Sequence, residues 1–138
     1  VNEIGDARAA FAVGAKRRME AIEDQVEFFD AGQEVLPGIA AVPSYGHTPG
    51  HMSFEVRSGS DAALVIGDAI GNHHVAFRKP AWHSGSDQDL DMAAATRKVL
   101  FDRIMADQLQ IIGFHLPNGG IGRVEAADEG YRFIQEDM

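Results

Sequence analysis

Two short stretches decide the fold: His51-Met52-Ser53-Phe54-Glu55-Val56 and Ala62-Ala63-Leu64-Val65-Ile66. In the first, Met52, Phe54 and Val56 alternate with Ser53 and Glu55, the period of two that a strand buried on one face requires. The second is apolar on both faces, which predicts a central position in a sheet. Ile39 to Val42 and Val26 to Phe29 read as further strands, set off by the turn signals Leu36-Pro37-Gly38 and Asp30-Ala31-Gly32. A later apolar run, Gln110 to Phe114, predicts one more strand ahead of the glycine- and proline-rich His115 to Gly122.

Helices flank these runs. Ile4, Phe11, Ala15, Met19, Ile22 and Val26 recur at steps of three, four or their multiples, the spacing of one helical face, and predict a helix ending near Gln25. Lys16, Arg17, Arg18, Glu20 and Glu23 fall mostly off that face. Gly14 costs the helix about 1 kcal/mol relative to alanine. A second helix is predicted from Asp91, with Asp89 or Asp91 as its cap and Met92, Thr96, Val99, Leu100, Arg103 and Ile104 spread over stripe and flank. Residues 71–90 are polar and aperiodic, the mark of a functional or partly disordered loop. Tyr131, Phe133 and Ile134 are available to pack in a short terminal segment. The expected architecture is α/β: a mixed sheet with helices on one face, in a single domain over 1–138. Its other face needs a partner.

The 138 residues suffice for a core that hides roughly two-thirds of the unfolded surface. Twelve basic against 21 acidic residues give a net charge of −9, which repels phosphate backbones and anionic lipids and makes nucleic acid and membrane unexpected partners. With no cysteine, any metal site must be built from His, carboxylate or water, and the redox compartment stays open. No apolar run approaches the roughly 20 residues that cross a bilayer, and no signal segment opens the chain. The expectation is a soluble protein, cytoplasmic or periplasmic. Val1 in place of Met fits a processed product, a tag remnant or an excised piece.

Three polar residues share one placement. His47 in Gly46-His47-Thr48-Pro49-Gly50-His51, Asp68 after Ala62 to Gly67, and His115 before Leu116-Pro117 each stand where an apolar strand yields to a loop. Sites gather at such strand ends, because the sheet holds them rigid while loops stay accessible. Two imidazoles and a carboxylate suit zinc, manganese or iron. Plainer roles also fit: a turn histidine bonded to backbone, a helix-capping aspartate, a satisfied histidine at a strand end. His51 lies four residues after His47, but Pro49 and Gly50 forbid a helical metal pair, so it reads as a supporting group or a strand start. Phe77 and Trp82, with His73, His74 and His83 nearby, are candidate pocket residues or simply loop packing and solvation. The chain has no Gly-x-Ser-x-Gly elbow, no cysteine nucleophile and no phosphate loop.

Gly46-His47-Thr48-Pro49-Gly50-His51, then Gly67-Asp68, then His115-Leu116-Pro117 resemble the later metal-ligand motifs of the metallo-β-lactamase superfamily. Glu34-Val35-Leu36-Pro37-Gly38-Ile39, Asp87 and Asp89 followed by Thr96-Arg97-Lys98, and Gly120-Ile121-Gly122-Arg123-Val124 resemble its methyl parathion hydrolase and lactonase-like branch. The resemblance implies the second half of an αββα sandwich and a site with two divalent ions, zinc being the expected metal. His47 would ligate the first ion, Asp68 would bridge both as the catalytic carboxylate, and His115 would ligate the second. The implied reaction is hydrolysis of a small-molecule ester, lactone, thioester or phosphotriester by water activated between the ions. The family's His-x-His-x-Asp-His string is missing, since the histidines are 47, 51, 73, 74, 83 and 115. The expectation is therefore a carboxyl-terminal half-domain, inactive by itself, holding metal weakly or not at all, and forming a homodimer through its uncovered sheet face. The alternative is a naturally short, non-catalytic module for binding or assembly.

Overall fold

The computed structural model describes residues 6–136. Ile4, assigned above to the first helix, lies outside them. Among the described residues, seven strands form one sheet in chain order: β1 (Glu34–Leu36), β2 (Ile39–Pro43), β3 (Met52–Ser58), β4 (Asp61–Val65), β5 (Gln110–Ile112), β6 (Ile121–Ala126) and β7 (Tyr131–Gln135). Every neighbouring pair is antiparallel except β4 with β5, which are parallel. A parallel pair needs a crossover, and the segment between these two strands carries α2 (Val75–Arg78) and α3 (Leu90–Ala106). An earlier helix, α1 (Asp6–Glu20), precedes the sheet.

The period-two reading of β3 extends across the sheet as two rows. Ala40, Glu55, Leu64, Ile111 and Gly122 are register partners on one face. That face meets α3 and α2: Leu64, Ile111 and Val124 cluster with Leu100, Phe101, Ile104 and Phe77. Ala41, Phe54, Val65, Ile112 and Ile121 are partners on the other face. Of these, all but Ala41 are partly exposed. The sheet is mixed and its packed helices lie on one face.

Asp89 caps α3, its side chain accepting the Met92 backbone N–H at 2.9 Å. Elsewhere the structure differs from the sequence reading. Val26 to Phe29 is not a strand, because the sheet edge beside β2 is taken by Glu34–Leu36, a three-residue strand the apolar pattern missed. Phe28 is exposed, and Phe29 packs edge-on against Phe54 with ring centroids 5.9 Å apart. Helix α1 stops at Glu20, followed by a 3-10 turn at Glu23–Gln25. The apolar positions Phe11, Met19 and, beyond the helix, Ile22 are exposed, so the amphipathic stripe gains no packing here. Strand β5 ends at Ile112 rather than Phe114, and the tail forms the β6–β7 hairpin.

The sequence offers Phe77 as a pocket residue or as loop packing. It is fully buried rather than pocket-lining, held edge-on by Phe101 at 4.9 Å and Phe133 at 6.1 Å, because α2 folds residues 75–78 down onto the core. Phe101 in turn stacks on Tyr131 at 4.4 Å. Removing the Phe101 ring opens a cavity between Phe77 and Tyr131. Phe101→Ala is expected to cost about 3–5 kcal/mol in urea unfolding, whereas Val99→Ala on the exposed side of α3 should stay within about 0.5 kcal/mol.

Candidate metal centre

Strand direction brings the chemistry to one edge. β3 is antiparallel to both β2 and β4, so β2, β4 and β5 all run the same way. Their carboxyl ends, followed by His47, Asp68 and His115, therefore share an edge with the start of β3, which follows His51. β4 and β5 are adjacent, but β2 lies two strand spacings from β4, about 10 Å. His47 must be carried inward by its loop. The loop folds tightly, with Gly46 N–H donating to the Thr48 carbonyl at 3.1 Å. It is also tied to α3: Thr96 Oγ1 donates to the Tyr45 carbonyl at 2.7 Å, and Asp89 N–H donates to the Gly46 carbonyl at 3.0 Å. Gly46 has φ +122°, and a Cβ there would stand 2.3 Å from Ala93 N. Only glycine lets the loop lie that close to the helix.

The three side chains converge. His115 Nε2 lies 2.6 Å from Asp68 Oδ1, and His47 Nε2 lies 3.8 Å from Asp68 Oδ2. One carboxylate thus divides its two oxygens between imidazoles from separate loops. The side chains of Asp68 and His115 are each 42% exposed and that of His47 is 21%, so the cluster opens to solvent and to small solutes.

Behind this row, His51 accepts the Asp68 backbone N–H at Nε2, at 3.1 Å. Its other nitrogen must then carry the hydrogen, which Ser44 Oγ accepts at 2.7 Å. Burial and the neighbouring His47 push the His51 pKa below its ordinary value, against the opposing pull of Asp68. His47 has its own support. Asp87 Oδ1 accepts from His47 Nδ1 at 3.2 Å, and Asp87 Oδ2 accepts from Arg97 Nη1 at 2.8 Å. Asp87 and Arg97 are both buried. Sequence reasoning assigned neither a role, because no spacing rule links positions 40 residues apart.

Among the described residues, the remaining candidates make no hydrogen bond or ion pair with His47, Asp68 or His115, although Trp82 borders Asp87 and Arg97. Trp82 is exposed and lines a cavity of about 220 Å³ with Asn72, His83, Asp87 and Arg97. His83 pairs with Asp91 at 3.0 Å, and the rings of His73 and His74 face each other at 3.8 Å.

Among the described residues, no group of three or more His, Cys, Asp or Glu stands ready as a metal cage, and Asp68 bonds directly to His115 instead. The donor chemistry nevertheless suits part of a divalent-ion site: two imidazole Nε2 atoms and a carboxylate with one oxygen toward each. Four protein ligands close a structural zinc site, so three donors leave it open.

No family model matches the chain, and no curated protein matches it by sequence. Solved structures do match. AidC, a dizinc quorum-quenching lactonase in complex with a product, aligns with TM-score 0.88 and 24% identity over 97% of this chain and 46% of its own. The hydrolase AbOPH, of the beta lactamase superfamily, aligns with TM-score 0.85 and 26% identity over 99% of this chain and 49% of its own. A probable metal-dependent hydrolase from Staphylococcus aureus aligns with TM-score 0.66 and 22% identity, covering 84% of this chain and 42% of that one. The chain spans about half the length of the solved structures it matches. Over nearly its whole length it has the fold of about half of a metallo-β-lactamase superfamily hydrolase.

Proposed function

We propose that this chain is the carboxyl-terminal portion of a metal-dependent hydrolase acting on a small-molecule ester, lactone or phosphotriester. Residues 1–138 are one half-domain, and His47, Asp68 and His115 are its share of a two-metal site, with zinc the expected metal. The observation that carries this reading is the division of the Asp68 oxygens between two imidazole Nε2 atoms. His47, Asp68 and His115 would hold the cations, with the carboxylate shared between them. Ions held there would supply Lewis acidity to a water and to the scissile oxygen. AidC, a dizinc lactonase, favours lactones among the substrate classes. His51 is a positioning residue in this scheme, holding the backbone of Asp68.

The His-x-His-x-Asp-His string is absent from the chain, so three donors here complete neither metal's shell. The chain alone is therefore catalytically silent. Assays with p-nitrophenyl esters and lactones are expected to show no turnover by the 138-residue chain and turnover by the longer protein. In the longer protein Asp68→Ala should lose more than the roughly 10–100-fold that outer supporting residues cost. Turnover by the short chain contradicts the reading, and an inactive longer protein favours a non-catalytic binding or assembly module.

The partly exposed row Phe54, Val65, Ile112 and Ile121 is the face left for the missing half. In the isolated chain a second copy covers it, since extended apolar patches are uncommon on monomers. Sedimentation at micromolar concentration is expected to give a two-fold dimer, and a stable monomer would count against it. With a charge of −9, neither nucleic acid nor anionic membrane is a partner in this scheme.

His51 adds a pH signature. Its pKa is lowered from 6.5 in the folded chain, so between that lowered value and 6.5 the unfolded chain binds more protons. Its contribution to stability is whole above pH 6.5 and is lost as pH falls toward the folded-state value. Unfolding of chelator-treated protein should show this acid-side loss. His51→Gln keeps an acceptor for Asp68 N–H but cannot protonate, and it is expected to flatten the slope. An unchanged slope would be evidence against the His51 contact.

A further inference from the structure

The buried contacts behind His47 have a direction. Arg97 is 3% exposed and permanently charged. Each of its three guanidinium nitrogens is engaged: Nε to the Pro80 carbonyl at 3.1 Å, Nη1 to Asp87 Oδ2 at 2.8 Å, and Nη2 to the Trp82 carbonyl at 2.6 Å. Rotating the guanidinium would strand a buried polar group, which costs more than a surface bond does. Asp87, 6% exposed, is thereby fixed with its second oxygen 3.2 Å from His47 Nδ1.

A carboxylate oxygen opposite a guanidinium accepts. Nδ1 is therefore the ring nitrogen that carries the hydrogen, and Nε2 keeps a free lone pair on the side of Asp68, 3.8 Å from Oδ2. A buried ion pair is weak evidence of stabilisation, because apolar residues of similar volume often serve as well or better. What sets this pair apart is the atom it faces.

We propose that Asp87, clamped by Arg97, is a positioning residue that locks His47 in the Nδ1–H tautomer with its Nε2 lone pair turned to Asp68, the state a cation ligand needs. The cation rests on the hydrolase reading above, but the tautomer does not.

Asp87→Asn tests the geometry with little change of shape. Arg97 is donor-only and keeps the amide oxygen, so the amide NH2 turns to His47 and donates to Nδ1. The ring hydrogen must then move to Nε2, where it blocks ligation. Long-range proton–nitrogen correlation spectra of the 15N-labelled, chelator-treated full chain at about pH 8, above the ordinary histidine range, report the tautomer directly. The wild-type chain is expected to show His47 as Nδ1–H, and Asp87→Asn to show Nε2–H with the backbone amide spectrum otherwise kept. Competition for zinc against a chromophoric chelator should weaken by roughly 10–100-fold in the variant. A wild-type His47 in the Nε2–H form overturns the proposal, and that measurement needs no variant to fold. A variant with unchanged tautomer and unchanged zinc affinity overturns it as well. A wild-type chain with Nδ1–H that binds no zinc upholds the positioning role, weak or absent binding being what three donors lead one to expect.

Discussion

Asp68 meets two histidines that have no reason to be near each other along the chain, and much of this edge of the sheet exists to keep that meeting in place. The carboxylate can face both imidazoles only because β2, β4 and β5 run in one direction, so that their carboxyl ends reach the same rim. Sheet order then sets the distances. β5 is next to β4, and His115 comes directly against Asp68. β2 is one strand further away, and His47 arrives only through a loop pressed onto α3 at Gly46. The intervening strand β3 contributes at its start, where His51 holds the Asp68 backbone from below. Core packing of α3 and the geometry of the rim are thus one problem, since the helix that buries Leu100, Phe101 and Ile104 also anchors the His47 loop and supplies Arg97.

The parts legible in the sequence are those where a local pattern has a local cause. Ala62 to Ile66, apolar on both faces, reads as a central strand and β4 does stand between β3 and β5, and Met52 to Val56 alternates because the two faces of β3 meet different surroundings. His47, Asp68 and His115 stand out because each sits where a strand gives way to a loop rich in glycine or proline. What could not be read depends on distant partners. Val26 to Phe29 has strand composition but no strand beside it, while Glu34–Leu36 has little composition and a strand to pair with. Phe77 looks like a loop aromatic until β7 arrives from the far end of the chain to cover it. Asp87 reads as one acid among many in a polar loop, and its importance lies wholly in the buried guanidinium across from it.

The chain spans about half of the proteins whose fold it shares, and on the reading proposed above that accounts for both its open sheet face and its three-donor rim. The row from Phe54 to Ile121 has apolar side chains without full cover, and the rim has three donors where a closed zinc shell takes four. Under the function proposed above, one further segment of a longer protein would complete both the sheet face and the donor set.

The direct measurement is anomalous diffraction at the zinc edge from crystals of this chain soaked in a zinc salt. The account predicts a peak at the rim, about 2.0–2.2 Å from Asp68 and from a histidine Nε2 of His47 or His115. Zinc confined to His73 and His74, or to His83 and Asp91, with the Asp68 rim empty would contradict it.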